Sequence, residues 1–130
     1  MAESQFLELV ERAAGIGREE ARKAVGATLC TLAERITRSE AEDIAVFVPG
    51  EFRELLTGSP HRAEPFGVAE FVHRVADREG VDGATAERHV RAVFIALGRV
   101  ASLDALSNLE DQLPDFGPLL ELARRRNLVA

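Results

Sequence analysis

The chain repeats itself. Residues 5–56 slide onto residues 70–121 at one constant offset and without a gap. Identical pairs are Phe6/Phe71, Val10/Val75, Gly15/Gly80, Ala21/Ala86, Val25/Val90, Ala27/Ala92, Leu32/Leu97, Pro49/Pro114 and Leu55/Leu120. Conservative pairs, among them Leu7/Val72, Ile16/Val81, Leu29/Phe94, Thr37/Ser102 and Ile44/Leu109, fill the intervals. Self-similarity at a fixed period is the signature of one supersecondary unit used more than once. Most matched positions are apolar or punctuate the chain, so the copies are expected to share a fold rather than a surface.

Each copy reads as three main helices. The first spans about Ser4 to Ala14, and about Val68 to Glu79 in the second copy. Phe6, Val10, Ala13 and Ala14 recur at helical spacing, as do Phe71, Val75 and the aliphatic stem of Arg78. Gly15 and Gly80 follow, where a helix commonly closes on a left-handed residue that glycine adopts without strain. The second helix, about Arg18 to Ile36 and Ala84 to Ala101, is free of proline and rich in alanine. Its stripes are Ala21, Val25, Leu29, Leu32 and Ile36, then Ala86, Val90, Val93, Phe94, Leu97 and Ala101. Thr37-Arg38-Ser39-Glu40 has the form of a capping box, opening a third helix whose twin starts near Ser102. Pro49 and Pro114 end these helices, because proline forces the preceding residue into extended geometry. Short terminal helices are expected at about Glu51–Leu56 and Pro118–Arg126.

Residues 57–66 contain two prolines and a glycine and read as a linker. Neither copy alone has enough partner surface to cover its helices. The expected architecture is therefore a compact all-α bundle forming a single domain over residues 1–130. Repeat 1 covers about 4–56 and repeat 2 about 67–126, two tandem three-helix repeats related by a pseudo-two-fold axis. With 46% hydrophobic residues, such a core needs no disulfide or metal. The single cysteine, Cys30, has no internal partner, and the opening segment is amphipathic rather than a signal peptide. Both features point to a reducing, cytoplasmic setting. No stretch approaches the roughly 20 apolar residues of a membrane span.

Charge and composition narrow the partners. Twenty-two acidic and 16 basic side chains leave a net charge of -6, and tryptophan and tyrosine are absent. Such a field disfavours nucleic acid and anionic membranes, and base-stacking platforms are scarce. The densest basic run, Arg124-Arg125-Arg126, suits the last turn of a helix.

The repeat also serves as a control on candidate sites. Cys30 is twinned with Ile95, so a buried small hydrophobe is expected there rather than a reactive thiol. His73 and His89 are twinned with Glu8 and Ala24, both off the apolar stripe, and His61 falls in the linker. None stands at metal-ligand spacing. Glu40, Glu42 and Asp43, like Glu19 and Glu20, are expected to be solvated acids at helix starts. Gly15-Ile16-Gly17 lacks the strand and remaining glycines of a nucleotide loop. This reading yields no catalytic residue, no metal ligand and no cofactor site. One asymmetry stands out: Leu9 and Phe47 face Arg74 and Gln112 in the second copy. These two residues read either as extra core or as a partner-binding face.

Phe6-Leu7, Val10, Gly15, Glu20-Ala21, Leu29, Leu32-Ala33-Glu34-Arg35 and Val48-Pro49 follow the pattern FLxxVxxxxGxxxxEAxxAxxAVLxxLAxR with a leucine-proline close. Phe71, Val75, Gly80, Ala86 to Val93, Leu97 and Leu113-Pro114 repeat it. In this the chain resembles the bacterial domain of unknown function 2267 family, DUF2267, over nearly its whole length. The resemblance implies the helical fold and carries no catalytic residues. The expected function is a non-enzymatic protein-interaction or scaffold module, binding a protein partner or a second copy of the chain. Small-molecule binding in an inter-helix cavity is the alternative.

Overall fold

A computed structural model describes residues 3–58 and 62–129. Among the described residues there are eight helices and no strand. They are α1 (Glu3–Ala14), α2 (Arg18–Arg35), α3 (Arg38–Ala45), α4 (Gly50–Thr57), α5 (Val68–Glu79), α6 (Gly83–Val100), α7 (Leu103–Gln112) and α8 (Gly117–Val129). Both ends of α5 are the sequence twins of the ends of α1, and both ends of α6 are those of α2. Each half thus carries the three expected main helices and the expected terminal helix, α4 or α8.

Local chemistry sets these boundaries. Gly15 and Gly80 adopt φ of 69° and 72°, the left-handed region. Their amides donate to Glu11 O and Ala76 O at 2.7 and 2.8 Å, satisfying carbonyls that the helix end would orphan. Ser102 Oγ accepts from the amide of Ala105, and Asp82 Oδ1 from that of Thr85. Thr37 Oγ1 accepts from the amide of Glu40 at 3.2 Å. The reciprocal half of that capping box is missing: the Thr37 amide donates instead to Gln112 Oε1, on the other repeat, at 3.2 Å.

The constant offset breaks after the prolines. Phe6 packs on Phe52 with ring centroids 6.3 Å apart, whereas Phe71, the twin of Phe6, packs on Phe116 at 5.3 Å. Phe52 and Leu56 therefore play the parts of Phe116 and Leu120, one residue out of the sequence register. Leu55, paired with Leu120 by the offset, is only half-buried.

The central elements are α2 and α6. Helix α1 packs extensively on α6 as well as on α2, and α5 packs on both α2 and α6. Helices α4 and α8 cover α2 and α6 respectively, and α3 meets α7. Exchanging α1–α4 for α5–α8 converts the extensive pairings into one another. Phe6, Leu29, Leu32, Phe71, Phe94 and Phe116 are essentially inaccessible. Each contributes about 1.5–3 kcal/mol by burial. Phe71 meets the rings of Phe94 and Phe116 edge-on, at 80° and 81°.

Because α6 is covered by α1, α2, α5 and α8, its inner face is broad, and only a stripe through Ala84, Glu87, Arg88, Arg91 and Arg99 faces outward. That corrects the expected placement of His89, which is 2% exposed, with its twin Ala24 also fully buried. A single-stripe reading takes the inner face of this helix to be narrower than it is, and His89 falls within the wider one. On the α8 side, Gly98 lies so close that an added Cβ would stand 2.2 Å from Ala123 O. Gly98→Ala should cost about 1–3 kcal/mol by overpacking. Gly26→Ala, in the middle of α2 with open space around it, should stabilise by about 0.5–1 kcal/mol. Gly15→Ala should cost about 1 kcal/mol through its positive φ. Urea denaturation of the three variants checks both signs.

Candidate functional site

A concavity lies between α5, α6 and α8. Val68 and Val72 of α5, Pro118, Leu119 and Leu122 of α8, and Glu87 and Arg91 of α6 line a half-open groove of about 430 Å³. Glu87 and Arg91 form an ion pair 2.7 Å long, one turn apart on α6, so among the described residues the charges on the lining neutralise each other. The corresponding place in repeat 1 is polar. Glu3 and Arg22 are the twins of Val68 and Glu87, and they pair at 3.6 Å. The sequence signal for this groove is an apolar excess of the second copy, Val68 standing where the first has Glu3.

A polar network joins α2, the linker and α5. Glu34 of α2 takes two hydrogen bonds from Arg78, at 2.8 and 3.0 Å, and one from Arg74 at 3.1 Å. Arg78 also donates to Thr31 Oγ1 at 2.6 Å. Arg74 reaches Glu70 and Glu64 at 2.9 and 3.2 Å and lies 3.9 Å from the centroid of the Phe66 ring. The linker is pinned in turn, its Glu64 amide donating to Glu34 O and Arg35 Nε donating to Phe66 O. These arginines hold the Glu34 carboxyl below its ordinary range, the Arg78 hydrogen bonds first, with burial opposing. Every cation here is matched, so the network fastens one repeat to the other and offers no free charge to a ligand.

The sequence-predicted residues do not assemble into one site. Leu9 and Phe47 are both half-buried and packed against the core. The large apolar residues that stand exposed among the described residues are Val46 and Leu103, at 65% and 57%. Cys30 is half-buried on α2; burial pushes its thiol up, opposed by Arg78, so it is not a ready thiolate. His73 is exposed and 3.4 Å from Asp77. His61 lies outside the described residues, as do the side chains of Arg125 and Arg126, while Arg124 pairs with Glu110 at 2.7 Å.

Glu40 requires a correction. Expected as a solvated helix start, it is 7% exposed, and its Oε2 has no partner. Burial, then Asp43 and Asp111, pushes its carboxyl up. Gln112 has taken the Thr37 amide that a capping-box glutamate would otherwise accept from. Glu42 and Asp43 are exposed as expected. Among the described residues no three His, Cys, Asp or Glu side chains are placed to hold a metal ion. Among the described residues no helix is long and apolar enough to cross a membrane.

Fold and groove together define an all-helical protein with a concavity walled largely by apolar side chains. The chain belongs to the family described as an uncharacterized conserved protein, DUF2267, whose model matches residues 3–119. No curated protein matches it.

The Glu34 network predicts a pH signature of definite sign. A depressed carboxyl contributes stability above its unfolded value of about 4.3 and loses it as pH falls through the lower folded value. Glu34→Gln should cost about 1 kcal/mol at pH 7, the partial exposure of the network keeping the figure modest. The difference from the native chain should vanish towards pH 3 in thermal melts.

Proposed function

We propose that this chain is a non-enzymatic helical interaction module, a rigid frame that receives an apolar segment of a protein partner or of a second copy of itself. The groove between α5, α6 and α8 carries the reading. It presents valine, proline and leucine walls and a rim whose charges are already paired. An entering apolar side chain would displace water without stripping a charge of its partner, the condition for a buried anchor in a groove. Both repeats act as one domain in this reading, related by a pseudo-two-fold axis. A reducing cytoplasmic setting suits the lone Cys30. Leu9 and Phe47 form the second candidate surface, on the edge of repeat 1.

Small-molecule binding is the alternative, favoured by a volume within the range of about 300–1,000 Å³ usual for ligand pockets. Against it stand the half-open shape and a lining drawn from one repeat only.

Native mass spectrometry of freshly purified protein separates the readings. The interaction module predicts a retained second polypeptide. Val72→Glu, which places a carboxylate in the groove, should weaken that association by about thirtyfold or more, the scale of a lost hot spot. Leu9→Arg with Phe47→Gln should leave it intact if the groove is the surface, and abolish it if the repeat 1 edge is. A retained small molecule on a single chain contradicts the proposal.

A further inference from the structure

Glu79 and His89 make a contact that the first repeat does not have. Glu79 is the last residue of α5, immediately before left-handed Gly80, and His89 stands in the second turn of α6. Their side chains are each 3% exposed, with His89 Nδ1 and Glu79 Oε1 2.7 Å apart. Glu79 Oε2 has no partner. The twin positions are Ala14 and Ala24, so the same corner in repeat 1 is closed by two methyl groups.

A carboxylate taken out of water without compensation is costly. One proton on the pair, wherever it sits between oxygen and nitrogen, leaves the buried unit neutral. Removing it strands a negative charge beside an orphan oxygen. Lys23 and Glu20 of α2 are the other charged groups acting on this carboxyl, and they oppose each other. Neither is close enough to replace the imidazole as a hydrogen-bonding partner.

We infer that Glu79 and His89 form a proton-dependent clasp on the α5–α6 corner, closed while the pair holds its proton and loosened when the proton is lost. The same two helices carry Val68, Val72, Glu87 and Arg91 of the groove, so loosening the clasp disturbs two of its three walls. Only that consequence rests on the interaction reading; the clasp does not. The electrostatics agree in direction: burial is the largest influence on Glu79 and pushes its carboxyl above the ordinary range, with His89 opposing. A raised carboxyl contributes stability fully below its unfolded value of about 4.3 and loses it as pH rises through the folded value.

The test compares the native chain with Glu79→Gln, which keeps a polar partner for His89 but has no proton to lose. Urea midpoints are followed from pH 4.5 to 8, together with amide exchange at Gly80 and Val81, whose amides both donate to Ala76 O. The native midpoint should fall relative to that of Glu79→Gln as pH rises. Opening at Gly80 and Val81, relative to Glu79→Gln, should grow by up to about tenfold per pH unit across the titration. Parallel profiles, or a native chain that gains relative to Glu79→Gln, overturn the clasp. If Glu79→Gln does not fold, the double variant Glu79→Ala with His89→Ala, which copies repeat 1, takes its place with the same two outcomes. No partner is present in either assay, so failure of the clasp is distinguishable from failure of the groove.

Discussion

The structure depends on an exchange of first helices. Helix α1 lies on α6 of the other repeat, and α5 lies on α2 of the first, so each repeat completes the cover of its counterpart's longest helix. An isolated repeat would leave α2 or α6 with an uncovered apolar face, since these helices bury nine residues each on more than one side. Hydrophobic burial is roughly proportional to area removed from water, and here much of that area is removed only when the repeats meet. Small residues make the approach possible: Ala24, Ala27, Ala92 and Ala96 are buried on the central helices, and Gly98 lets α8 nearly touch α6. The Glu34, Arg74 and Arg78 network then fixes the geometry along one edge of the same contact.

Much of this was legible in the sequence because helix ends are written in local chemistry. The positive φ of Gly15 and Gly80 and the caps at Thr37 and Ser102 follow from residues within one turn. What the sequence hid was decided by tertiary contact. His89 sits off the strongest stripe of α6, yet four helices cover α6 and the stripe is not its only inner face. Glu40 has the spacing of a capping-box glutamate, yet Gln112 from the opposite repeat takes the amide it would have served. The register slip after Pro49 and Pro114 was invisible to a gapless comparison, and the Phe6–Phe52 and Phe71–Phe116 contacts reveal it.

The candidate surface shows the same division. Arg74 in place of Leu9 registered as a lost apolar residue; in the fold it is an arginine that binds three carboxylates and covers Phe66. The two halves of the sequence agree most at apolar and punctuating positions and differ where they meet solvent or linker. The α1–α2 edge carries ion pairs such as Glu3–Arg22, whereas the matching α5–α6 edge has apolar walls and a buried Glu79–His89 pair. Function in such a protein is to be sought in the differences between twins, because their likenesses are accounted for by folding.

Circular dichroism of the two halves, residues 1–58 and 62–130, separately and mixed, tests the exchange of helices most directly. If each repeat needs the first helix of the other, the separated halves should lack cooperative thermal unfolding, and equimolar mixing should restore helical signal together with a single transition. Two halves that each melt cooperatively alone, with nothing gained on mixing, would contradict the account.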